Sequence, residues 1–215
     1  MNFNNTEWAT NTLTFTAKGT CSNYHIGIDN GAAKGSNDWA HIDSANLVSS
    51  IPAAQTIYTT LNGGNQAGGE FNTGVGYGLG TKFKTTVEGT ITKVRIYTGK
   101  KEGGNHSVRI WNAGTNTIVT GPYTWTVTPG TKGWKEFRLP APLRVMANTD
   151  YIVDVSTSTD YYYYMCIGQY NNPINNVNLI TYAGSGLYNK TLKSMPNASW
   201  SNNGYFRDIV FVPLK

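Results

Sequence analysis

The chain is short of charge. Asp, Glu, Lys and Arg make up 13% of its 215 residues, against a usual share of about 25%. Long Ala-, Glu-, Lys- and Leu-rich tracts are absent with them, which argues against an architecture of long helices or coiled coils. The net charge of +5 is the small remainder of 17 basic and 12 acidic groups. Without dense Lys/Arg runs it leaves no footprint for nucleic acid. No run of about 18 apolar residues occurs, so no helix is expected to enter a membrane. Cysteine is scarce: Cys21 and Cys166 lie far apart without C-x-x-C spacing, which excludes the usual zinc and thiol-redox patterns. A disulfide between them would need Cα atoms within about 7 Å. The opening MNFNNTEWATNTLTF has neither a basic start nor an apolar core, so it does not read as a signal peptide. Any export signal is expected to lie outside this sequence.

What the chain has in abundance is glycine (24), tyrosine (14) and short alternating runs. TLTFTAKG, NYHIGID, GTKFKTTV, TITKVRIYTG, HSVRIWNAG, KEFRLPAPL, DYIVDVSTS, YYYYMCIG and RDIVFVP alternate with period two between Gly, Asn and Pro clusters. Helical periodicity is weak throughout. This pattern predicts an all-β protein, an antiparallel two-sheet β-sandwich of jelly-roll or immunoglobulin-like type. The small, polar SSIPAAQ stretch reads as a linker over 49–56. It separates residues 1–48, a partial β-sandwich segment too small to hold a core alone, from a main sandwich over 57–215.

Four stretches in the second segment carry a resemblance: GYGLGTKFKTTVEGTITKVRIYTG, HSVRIWNAGTNTIV, GWKEFRLPAPLRVMANTDYIV and the closing GYFRDIVFV. In this order and spacing the segment resembles the bacterial family called domain of unknown function 4082. The resemblance implies a β-sandwich that recurs beside carbohydrate-active enzymes and in cell-surface proteins, with an accessory role. In the first segment, EWATNTLTFTAKG, YHIGIDNG and DWAHIDSANLV resemble the C-terminal half of a jelly-roll carbohydrate-binding module. That resemblance implies a structural calcium beside Asp43, although the half of the module that supplies the other ligands is missing. It also implies that the chain starts inside a longer modular polypeptide. The location implied is extracellular or at the cell surface.

No catalytic constellation is visible. His25, His41 and His106 have no metal-ligand spacing and read as surface or turn residues. Asp150, Asp154 and Asp160 are close enough in sequence to suggest a glycosidase carboxylate pair, but Asp150 and Asp160 read better as turn residues. NGGNQAGG and GVGYGLG lack the G-K-[ST] ending of a phosphate loop and read as bends. The expectation is therefore no enzyme activity and no cofactor.

The aromatic residues are more informative. Exposed Trp and Tyr offer rigid apolar plates with a polar edge, suited to the C–H faces of sugar rings. Trp200 and Tyr205 lie in the polar loop NASWSNNGYF. Period two in YYYYMCI sends Tyr161, Tyr163, Met165 and Ile167 to the core and Tyr162 and Tyr164 outward, where they form either a ligand platform or cross-strand packing. In VRIWN the same rule turns Arg109 and Trp111 outward. Lys82, Lys84, Lys93, Arg95, Arg109 and Arg138 also fall on outward faces; on one sheet they would form a basic stripe for acidic glycans, or simply a charged solvent face. The functional expectation is a monomeric, non-catalytic module that binds a polysaccharide or cell-surface glycan, with Trp200, Tyr205, Tyr162, Tyr164, Trp111 and Arg109 as contacts. The alternative is a structural or adhesive spacer that contacts protein partners.

Overall fold

Alternation becomes structure where side chains leave opposite faces of a strand. In a computed structural model of the protein, which describes residues 52–59 and 68–214, Phe83 is fully buried between the partly exposed Lys82 and Lys84. The first-segment expectations, including Asp43, Cys21 and the strands TLTFTAKG and NYHIGID, fall outside the described residues.

The described residues contain strands and no helix. In chain order they are β1 (Gly69–Asn72), β2 (Gly78–Thr85), β3 (Gly89–Thr98), β4 (Gly104–Asn112), β5 (Thr117–Val127) and β6 (Gly133–Val145). There follow β7 (Asp150–Ser156), β8 (Tyr162–Met165), β9 (Asn175–Asn176), β10 (Leu179–Ile180), β11 (Gly186–Asn189) and β12 (Arg207–Pro213). A seven-stranded sheet runs β5-β4-β7-β2-β10-β9, with β11 also on β2, and a three-stranded sheet runs β12-β3-β6. β1 pairs with β8 alone. Every strand pairing is antiparallel.

Phe83, Val108, Ile110, Val153 and Val155 of the larger sheet share one core with Ile91, Val94, Ile96, Ile209 and Phe211 of the smaller. This is the expected β-sandwich. Each such side chain contributes on the order of 1.5–3 kcal/mol by leaving water. At one end Leu79, Tyr163, Met165 and Tyr205 form a second cluster, against which Tyr77, Ile167 and Tyr188 pack.

Two polar devices lie inside. Among the described residues Arg207 is the largest fully buried side chain; it donates to Glu102 Oε1 at 2.8 Å and to the carbonyls of Val155 and Tyr205. Asp208 accepts from Ile57 N, Tyr58 N and Arg95. This carboxylate fastens the 57–58 backbone to the sandwich, while Gln55, within the expected linker stretch, bridges to Phe211 in antiparallel sense.

Three expectations are corrected here. Tyr164 belongs to the main core, with its hydroxyl donating to Gly68 O at 2.7 Å and its ring 4.8 Å from Tyr97. Both faces of β8 are thus buried, and period two cannot sort its tyrosines into core and platform. Tyr161, expected in the core, is instead exposed at φ 60° just before the strand. His106, expected at the surface, is buried, with Nδ1 2.7 Å from Ser156 O.

Candidate functional site

At the end of the sandwich above the second cluster, a cleft of about 330 Å3 opens between Thr73, Tyr77, Leu79, Tyr163, Tyr188, Lys190, Trp200 and Tyr205. Five of these eight are aromatic, and they are held from four pieces of backbone, Trp200 and Tyr205 sharing the loop before β12. Tyr77 sits among glycines, and its amide and carbonyl bond Thr157 at 3.0 and 2.8 Å. Tyr163 comes from β8, with Phe71 of β1 stacked on it at 6.3 Å. Tyr188 comes from β11, where its backbone bridges to Ala198. Tyr205 lies two residues before β12. Edge-to-face contacts near 6 Å connect Tyr188 to Tyr77, Tyr77 to Tyr163, and Tyr163 to Tyr205. That geometry suits aromatic quadrupoles and fixes the rings relative to one another.

Trp200 completes the wall differently. It is 55% exposed, so its indole face is available to a ligand. Asn203 N donates to Trp200 O at 3.0 Å across Ser201 and Asn202, whose φ angles are 49° and 50°. Two positive φ values inside such a bond define a type I′ turn, for which Asn is well suited and Ser less so. The turn is pinned from outside: Gly168 N donates to Ser201 O, Tyr170 N to Asn202 O, and Asn202 Nδ2 to Asn171 Oδ1. Trp200 is therefore an exposed plate on a fixed backbone.

The chemistry of the lining is apolar plate plus hydroxyl. Burial raises the phenols of Tyr163 and Tyr205, chiefly by desolvation, so both present neutral O–H groups at ordinary pH. Lys190 brings a cation, and no carboxylate is among the lining residues. Among the described residues no three His, Cys, Asp or Glu side chains gather as metal ligands.

Of the sequence-derived contacts, Trp200 and Tyr205 line the cleft. Tyr162 does not; it is half-buried with the Lys101 ammonium 5.4 Å from its ring centre. Arg109 and Trp111 occupy the predicted outer face of the larger sheet, but both are buried, because Arg109 Nη1 and Trp111 Nε1 donate to the fully buried Asp154 Oδ2 at 3.2 and 3.1 Å. The basic stripe does not form: Lys93, Arg95 and Arg138 lie on the smaller sheet and the rest on the larger. Four of its six cations are paired, Lys82 with Asp150, Lys93 with Glu136, Arg95 with Asp208 and Arg109 with Asp154. Sequence reasoning missed Tyr77, Tyr163, Tyr188 and Lys190. A signal existed for two of the tyrosines, since GYG and GLYN set an aromatic beside glycines that leave room at its face.

The Asp154 cluster makes a measurable prediction. Burial is the main cause that lifts its carboxyl to about 6, partly offset by Trp111 and Arg109. A raised folded pKa means the stabilising proton is fully bound below the unfolded value of about 3.9 and lost as pH rises through about 6. Desolvation of His106 acts in the opposite sense, lowering it to about 4, so its stabilisation is lost as pH falls from about 6.5. An Asp154→Asn variant keeps the second effect and loses the first. Its stability deficit relative to the parent should grow by roughly 2 kcal/mol between pH 7 and 4.5, measured by urea denaturation. A deficit independent of pH would mean that Asp154 titrates as an ordinary carboxylate.

Among known families, the one described as Domain of unknown function (DUF4082) matches residues 65–207. These bounds contain every residue of the cleft. No curated protein matches the chain.

Proposed function

We propose, for a chain that belongs to the DUF4082 family, the role of a non-catalytic carbohydrate-binding or cell-surface accessory module in a larger extracellular bacterial protein. The aromatic cleft is its sugar site. One observation carries this reading: Trp200 stands exposed on a pinned turn at the edge of a cleft whose other walls include four interlocked tyrosines. A sugar ring stacked on the indole would find phenol hydroxyls as hydrogen-bond partners, with little ordering of the protein on binding. The partner is a polysaccharide or cell-surface glycan. Affinity per sugar is low, because a single exposed plate carries much of the contact.

The test is affinity electrophoresis through gels containing neutral or acidic polysaccharides. Retardation is expected in at least one gel. Trp200→Ala should weaken it by about 2 kcal/mol, some thirtyfold, for the loss of half a tryptophan surface. Because Trp200 is mostly exposed, the thermal midpoint should stay near that of the parent.

The burial of Tyr164, Trp111 and Arg109 supports a second reading, a structural or adhesive spacer, since it removes three contacts from any sugar platform. Unretarded migration in every gel would favour the spacer.

A further inference from the structure

From the make-up of the cleft we infer that its ligand is a single negatively charged sugar residue, a uronate or similar acidic unit, whose carboxylate is met by Lys190. The inference rests on the cleft being a glycan site and adds the class of sugar. Its first support is electrostatic: the eight lining residues include one cation and no anion, so nothing in the wall repels a carboxylate. Lys190 is exposed and joins none of the ion pairs formed among the described residues, where Lys82, Lys93, Arg95, Arg109, Arg144 and Arg207 are all paired. Its ammonium is available to an incoming anion.

The second support is positional. Asn189 Oδ1 accepts from Thr191 N at 2.8 Å and Asn189 Nδ2 donates to Met195 O at 3.0 Å, while Ser194 N donates to Thr191 O. These bonds close the loop at Lys190, between Tyr188 and Trp200 in the chain, so the cation is delivered to the same wall as two aromatic plates. The third support is size. About 330 Å3 lies at the small end of the roughly 300–1,000 Å3 range of ligand pockets, which suits one ring and its exocyclic group better than the broad face of an extended chain. A carboxylate against the ammonium would make a charge-assisted hydrogen bond while the ring stacks on Trp200.

The experiment follows Trp fluorescence of the whole chain titrated with D-glucuronate and with D-glucose, at low and at high salt, for the parent, Lys190→Met and Trp200→Ala. Methionine keeps the apolar stem and removes the charge. The expected result is a preference for glucuronate of about two- to fivefold, reduced by salt and abolished in Lys190→Met, which then binds glucuronate no better than glucose. Equal affinity for the two sugars, or a preference that survives in Lys190→Met, overturns the acidic assignment and leaves the glycan site standing. Absence of any saturable response to either sugar, or a response that persists in Trp200→Ala, overturns both.

Discussion

Replacing Arg207 by methionine lowers the stability of the sandwich by about 3–5 kcal/mol, the range expected when one partner of a buried ion pair is removed. Both side chains of the Arg207 and Glu102 pair are fully buried, so water does not substitute for the guanidinium. The loss has three parts: an uncompensated Glu102 carboxylate, and two carbonyls, Val155 O and Tyr205 O, that lose their donors. Burial raises the Glu102 carboxyl, and Arg207 is the main force opposing that rise. Without Arg207 the proton is held to higher pH. The protonated carboxyl stabilises fully below the unfolded value of about 4.3, and this is lost as pH rises. The variant should therefore lie closest to the parent in acid and furthest from it in mild alkali. Adding Glu102→Gln to Arg207→Met should recover part of the loss at neutral pH, since removing both charges is cheaper than stranding one. Urea denaturation across pH reads all of this, and a deficit below about 1 kcal/mol for Arg207→Met would show that the pair is not isolated from water.

Gly186→Ala damages fold and cleft together. A Cβ at Gly186 would lie 1.6 Å from Asn203 O and 2.7 Å from its carbonyl carbon. The obstacle is backbone, so no rotamer change relieves it, and β11 must move away from the segment that closes the Trp200 turn. Overpacking of this kind costs about 3 kcal/mol or more. β11 carries Tyr188 and Asn203 fixes the turn of Trp200, so the same displacement spreads two walls of the cleft. Sugar retention should fall even at temperatures where the variant is folded. Gly76→Ala is the matched control: its nearest neighbours are Leu192 side-chain atoms at 3.4 Å or more, and its stability should stay within about 0.5 kcal/mol of the parent. Equal effects at the two sites would contradict the close approach of β11 to Asn203.

The sandwich was legible because most of its strands have one face in the core and one in water. β2 and β3 show this plainly: Phe83, Val94 and Ile96 are buried, whereas Lys82, Lys84, Lys93 and Arg95 are not. The rule failed where both faces are covered. In β8 Tyr164 enters the main core and Tyr163 the second cluster, and in β4 the outward Arg109 and Trp111 are buried on Asp154. β5 is missing from the alternating runs because Gly121-Pro122 interrupts its pattern. In the structure that point is an irregularity inside the strand, where Gly121 at φ 93° comes so close to Val108 O that a Cβ there would sit 2.4 Å away. Of the cleft, the polar loop with Trp200 and Tyr205 was visible locally. Tyr77, Tyr163 and Tyr188 reach it from segments more than twenty residues apart, through pairings that no local pattern encodes.

The Gln55 bridge to Phe211 bears on mechanical load. Because the two segments run antiparallel, the chain arrives beside Phe211 and leaves two residues later at Pro213, with both leads on the same side. Tension between them would open backbone bonds one at a time, as a zipper opens, instead of shearing several at once. Behind the first pair stands Asp208, whose carboxylate holds Ile57, Tyr58 and Arg95 together. Once the bridge has opened, the load passes to this carboxylate and to the pairing of β12 with β3.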